Sequence, residues 1–147
     1  MKNSFFLILG LIIIGGSIFL FWGQTQTLNT KTKIIKINDT SIKVEVADTP
    51  ETRVQGLSGK KRLVDNTGML FVFDSPARYG FWMKDMNFAI DIVWIDEKFH
   101  IIGIEREVSP ETFPQIFYPP QAVKYVLELP AGAANRYHIG IGAVVQF

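Results

Sequence analysis

The sequence predicts an α+β fold that is mostly β: a small antiparallel, barrel-like sheet with two short helices, preceded by one N-terminal transmembrane helix. Three observations lead there. Residues 5–22 form an uncharged apolar run. After it come short β-branched and aromatic runs bounded by turn-forming residues, the pattern of strands. Between these runs, only two proline-led segments have room for helices.

The apolar run, Phe5 to Trp22, spans 18 residues, FFLILGLIIIGGSIFLFW. At ~1.5 Å per residue it approaches the ~30 Å thickness of a bilayer core. A cleavable leader has a shorter apolar region, ~7–15 residues, and ends in a small-x-small site. The segment Phe19 to Gly23 offers no such site. Residues 1–23 are therefore expected to be an uncleaved membrane anchor with Trp22 at the interface. Lys2 and the amino terminus favour a cytoplasmic start, while Lys31, Lys33 and Lys36 pull the other way. Long domains translocate largely regardless of such charges, so the expected location is the cytoplasmic membrane, single-pass, with the domain on the extracytoplasmic side.

Residues 24–32, QTQTLNTKT, are polar and aperiodic, a short linker. Residues 33–147 form one globular domain. Within it Lys33–Ile37 and Ile42–Ala47 read as strands joined by a turn at Asn38–Ser41. Asp48-Thr49-Pro50-Glu51 marks a helix start, with the helix running to about Leu57 and Val54 and Leu57 packed inward. Met69–Phe73 is an apolar strand, followed by a turn over Asp74–Arg78. The stretch Tyr79 to Asp96, YGFWMKDMNFAIDIVWID, reads as two strands, Phe81–Lys84 and Ala89–Asp96, with Lys84 opposite Asp91 in an ion pair. His100–Val108 is a further strand. Ser109–Gln121 holds four prolines and reads as a long loop that covers a sheet edge or serves as a binding lid. Tyr125–Leu129 is a strand, Pro130–Arg136 a short helix, and Ala143–Phe147 the last strand.

Composition excludes several kinds of chemistry. The 147 residues contain no cysteine, which removes disulfides, a thiol nucleophile and a thiolate zinc site. Loss of Lys2 with the anchor leaves the domain with fourteen cations against fourteen acids. A neutral domain offers no global field for nucleic acid, so no nucleic-acid partner is expected. His100 and His138 have no ligand partners at metal-site spacing, and Gly140-x-Gly142 lacks the third glycine and the helix of a phosphate cradle, so neither a metal nor a cofactor is expected. Gly-x-Ser-x-Gly occurs nowhere.

What remains is an aromatic and carboxylate-rich centre. The candidate binding residues are Trp82, Lys84, Asp85, Asp91, Trp94, Asp96, Arg53 and Tyr118. Tryptophans stack on ligands, carboxylates and cations orient them, and pockets combine apolar walls with few polar groups. Arg53 is placed to reach a carboxylate of the central hairpin. Asp85, Asp91 and Asp96 also admit a second reading, paired carboxylates held ~5–10 Å apart for hydrolysis of glycosides. The first reading is a membrane-tethered extracytoplasmic binding or accessory domain with a glycan or envelope protein as ligand. The second is a hydrolase of carbohydrate or cell-envelope polymer. A third is a wholly structural core.

The blocks ADTPETRVQGLSG, GMLFVF, FWMKDMNFAIDIVWID and AVKYVLELPAG, in that order, resemble the bacterial and archaeal family called domain of unknown function 192. The resemblance covers most of residues 34–147. It implies a small, mostly β domain with short helices, often exported or membrane-attached, and implies no activity or catalytic set. The family-like positions are Arg53, Gly56, Leu57, Gly68, Met69, Phe71, Trp82, Met83, Lys84, Asp91, Asp96, Glu128 and Gly132. Asp85 stands where many relatives carry an uncharged polar residue. The cysteines that some relatives carry in the segment matching Ser109 to Tyr118 are absent.

Overall fold

The computed structural model describes residues 31–147, so the expected membrane anchor lies outside the described residues. Among the described residues no helix is long and apolar enough to cross a membrane. Seven strands form one sheet: β1 (Lys31–Ile37), β2 (Thr40–Ala47), β3 (Thr67–Ala77), β4 (Ile90–Ile95), β5 (Ile101–Val108), β6 (Val123–Pro130) and β7 (Val145–Gln146). Two short helices accompany them, α1 (Pro50–Gln55) and α2 (Ala133–Arg136). The mostly-β expectation with two short helices holds.

The strand order is β5-β4-β6-β3-β2-β1-β7. Backbone bonds from Ile101 to Ala143, from Gly142 to Ile101 and from Val145 to Phe99 tie the last strand back to the start of β5, which gives the sheet its barrel-like curvature. All pairs are antiparallel except β2–β3, which is parallel. Parallel neighbours need a crossover, and residues 48–66 with α1 supply it. Alternation along β2 reports burial and is silent on direction, so the uniformly antiparallel expectation is corrected here.

The sheet buries both faces. On the inner face Ile35, Val44, Leu70, Val93, Leu127 and Leu129 form one core, which also takes in Ala133 and Ala134 of α2. On the outer face Met69, Phe71, Ile92, Trp94 and Val126 form a second, under Leu57, Met83 and Phe81. β4 is consequently buried at every position. This is why its Asp91 sits on an apolar face, as the sequence requires.

Five local expectations change. Phe81–Lys84 is not a strand; Phe81 makes one bridge, to Phe117, and Lys84 lies exposed in a turn. The reason is that both edges of β4 are already occupied, by β5 and β6, leaving none for a hairpin partner. The Lys84–Asp91 ion pair therefore does not form. Val54 is 86% exposed rather than packed inward, whereas Leu57 is buried. β1 begins at Lys31, inside the expected linker, and β3 runs on to Ala77 through the expected turn.

Candidate functional site

The site is built on the outer face, where α1, the end of β3 and the loop after it stand over β6. Thr49 caps α1 and forms a reciprocal capping box with Thr52, with Pro50 in the first turn. Gly56 ends the helix at φ +48, a left-handed conformation, and a Cβ there would press 3.3 Å from the Phe71 ring. That turn directs Leu57 into the core. It also leaves Arg53 pointing across the sheet. Arg53 Nη1 donates to the carbonyls of Asp48 (3.0 Å) and Val72 (2.7 Å). The guanidinium lies over the Phe73 ring, 5.4 Å from its centroid, with Asp74 at 3.9 Å. Arg53 thus serves the β3 backbone and reaches neither Asp91 nor Asp96.

Aromatic rings wall the space beside it. Phe73 and Tyr79 stack at 3.5 Å with 9° between planes. Phe81 meets both Phe71 (4.9 Å) and Trp94 (5.5 Å) edge to face. Trp82 stands on the rim, 54% exposed. Together they enclose a pocket of about 390 Å³ whose lining includes Arg53, Phe71, Phe73, Phe81, Trp82 and Glu128.

Glu128 is the unusual member. On β6 it lies between Met69 of β3 and Ile92 of β4, both apolar neighbours on the outer face. Its residue is 5% exposed, and burial pushes its carboxyl up to about 8. Oε2 has no hydrogen-bond partner. Among the described residues the only other such buried side-chain atom is Trp94 Nε1, in the same outer-face cluster. Three other polar side chains of the lining are engaged. Tyr79 donates to the Ser75 carbonyl, Gln55 to that of Ser58, and Ser58 to that of Lys84.

Of the sequence-predicted site residues, Arg53 and Trp82 line this pocket and the other six do not. Trp94 is wholly buried behind Phe81. Tyr118 is half exposed on the long loop, its ring close over Gly80. Lys84 and Asp85 occupy an exposed turn. Asp91 is fully buried and accepts backbone amides of Glu107, Gly132 and Ala134. Asp96 caps its own turn, accepting from Lys98 and His100 amides, with His100 Nδ1 at 3.5 Å. The three aspartates have three separate structural surroundings.

Glu128 itself was absent from the candidates drawn from sequence. Its signal lies in the run Tyr125–Leu129, YVLEL, where one acid interrupts residues that are apolar at both parities. An acid at such a place has water on neither side.

A family model for domain of unknown function 192, described as "Uncharacterized ACR", matches residues 33–147. No curated protein matches the chain. Among solved structures, a Sinorhizobium meliloti 1021 protein described as a "putative transcription regulator" is 27% identical, with a TM-score of 0.75 over 80% of this chain and 94% of its own. A protein of unknown function from Novosphingobium aromaticivorans DSM 12444 is 21% identical, with a TM-score of 0.78 over 83% of this chain and 89% of its own, and shows the same fold. With the family match extending from β1 through β7, this chain belongs to the domain of unknown function 192 family.

Proposed function

We propose that this protein is a membrane-tethered binding domain, held on the extracytoplasmic side by residues 5–22, that takes a small apolar ligand with a single polar group into the aromatic pocket above Glu128. The observation that carries the reading is the unpartnered, buried Glu128 carboxyl opening into an aromatic-walled space. A buried polar group left unpaired costs ~1–3 kcal/mol, which a ligand able to pair with it offsets. The volume falls within the range of small-molecule pockets, ~300–1,000 Å³.

Two other expectations are less well supported by the geometry. A glycan ligand needs many polar partners, and Arg53 Nη1, Gln55, Ser58 and Tyr79 of the lining already donate to backbone carbonyls. Carboxylate-pair hydrolysis needs two acids facing one cleft, and none of Asp85, Asp91 and Asp96 lines the pocket. A regulator acting on nucleic acid, the description carried by the Sinorhizobium protein, is disfavoured by the neutral domain.

The test is a thermal-shift screen of small apolar compounds on the full chain in lipid nanodiscs, with the Trp82 indole N–H followed by NMR. Binding compounds should raise the melting temperature and move the Trp82 signal, and Trp82→Ala should weaken them. Compounds that stabilise the protein without moving Trp82, and bind equally to Trp82→Ala and Glu128→Leu, would place the site elsewhere.

A further inference from the structure

We infer that Glu128 acts as a neutral hydrogen-bond donor to a carbonyl oxygen of the ligand, so that the pocket selects apolar molecules carrying a carbonyl over both hydrocarbons and organic cations. The inference rests on the pocket reading above and names the chemistry of that same site.

Three features of the lining lead to it. Glu128 has no cationic partner, since Arg53, the other charged group of the lining, spends Nη1 on the Asp48 and Val72 carbonyls and lies over Phe73. A buried carboxyl without such a partner is held in its protonated form, in which it donates. Second, with Glu128 neutral the lining keeps the positive charge of Arg53, so an ammonium ion adds a like charge to a space of low dielectric. A carbonyl oxygen meets no such penalty. Third, the backbone of β6 at Glu128 is committed to its ladders with β3 and β4, leaving the carboxyl as the polar contact on the pocket floor. A hydrocarbon therefore leaves the carboxyl unpaired, whereas a carbonyl satisfies it.

A pH dependence of definite sign follows. The ionisable groups that share the lining with Glu128 are Arg53 from α1 and Tyr79 from the loop after β3, while the neighbouring positions of β3 and β4, Met69, Phe71 and Ile92, carry nothing ionisable. With the carboxyl pushed up to about 8, it has an O–H to donate below that pH and above it is left with acceptors alone. Carbonyl ligands then meet an anion and lose affinity. An organic cation behaves oppositely and binds more tightly as pH rises.

The experiment compares benzophenone, diphenylmethane (the same skeleton without the carbonyl) and benzyltrimethylammonium on the full chain in nanodiscs. Dissociation constants are read from the Trp82 indole signal at matched free concentrations between pH 6 and 9.5. Benzophenone should bind about tenfold more tightly than diphenylmethane at pH 6–7, the size of one well-made hydrogen bond, and should lose that advantage above pH 8. Glu128→Gln, which keeps an N–H donor and cannot ionise, should retain most of the preference and lose its pH dependence. Should that variant fail to fold, the ketone-to-hydrocarbon ratio and the pH profile of the wild type still decide. Equal affinity for benzophenone and diphenylmethane at every pH overturns the inference and leaves the pocket reading standing. So does tighter binding of benzyltrimethylammonium than of benzophenone at pH 6–7, where the carboxyl holds its proton. Failure of all three to move Trp82 overturns both.

Discussion

Asp91 of β4 and Ala134 of α2 are joined by a 2.8 Å hydrogen bond, the Ala134 amide donating to Oδ2. Oδ1 of the same carboxylate accepts from the amides of Glu107 (2.8 Å) and Gly132 (3.2 Å), both residues at positive φ. A single buried carboxylate thus gathers β5, the turn after β6 and the short helix onto one strand. Asp91→Asn keeps one oxygen but turns an amide NH₂ toward backbone donors. We expect a loss on the order of 3 kcal/mol, read as a fall in melting temperature of roughly 10 °C. Asp96→Asn retains its acceptor for Lys98 and His100 and loses mainly an exposed contact with His100, so it should cost under about 1 kcal/mol. Equal melting of the two variants contradicts this assignment.

Lys84 takes no part in that arrangement. Because it is exposed in a turn and makes no ion pair with Asp91, Lys84→Ala should change stability by less than about 0.5 kcal/mol. A double-mutant cycle with Asp91→Asn should give no coupling beyond error. Coupling above about 1 kcal/mol would restore the ion pair expected from sequence.

Glu128 makes stability depend on pH in an unusual direction. Its carboxyl stands at about 8 when folded, against an ordinary value of 4.5. Between these values the folded protein holds a proton that the unfolded chain releases, so raising pH favours unfolding. The contribution of the neutral carboxyl is complete below pH 4.5 and is lost progressively up to about 8. The slope approaches about 1.4 kcal/mol per pH unit. Glu128→Gln should flatten the wild-type profile of melting temperature over this window, and parallel profiles would count against a raised carboxyl.

Gly68 tests the packing under the pocket. A Cβ there would stand 2.6 Å from the Glu128 carbonyl oxygen and 3.0 Å from the Leu129 side chain. The first obstacle is backbone in a sheet and has little room to give. Gly68→Ala should destabilise by ~1–3 kcal/mol and broaden the Trp82 signal as β6 shifts. A fully stable Gly68→Ala would show that β3 and β6 tolerate separation here.

Much of the fold was legible because β3, β4 and β6 carry dense apolar runs that only a buried strand accommodates. Strand direction was not, since Ile42, Val44 and Val46 alternate with Lys43 and Glu45 identically whether β3 runs parallel or antiparallel to them. The aromatic run Phe81–Lys84 misled for a related reason. Its residues cover the outer face as a loop, and aromatic content reports burial without specifying pairing. The site was half legible. Arg53 and Trp82 stand out by residue type, and Glu128 is marked locally only as the acid within YVLEL; that Met69 and Ile92 flank it appears only in the fold. That juxtaposition joins residues about sixty and thirty-five positions away in the chain, which no local pattern encodes.

The most direct test of the central claim is the carboxyl ¹³C shift of Glu128, titrated by NMR from pH 4 to 10 with and without benzophenone. A neutral donor on the pocket floor predicts a midpoint near 8 that moves upward when the ligand binds. A midpoint near 4.5, or one that the ligand lowers, would contradict it.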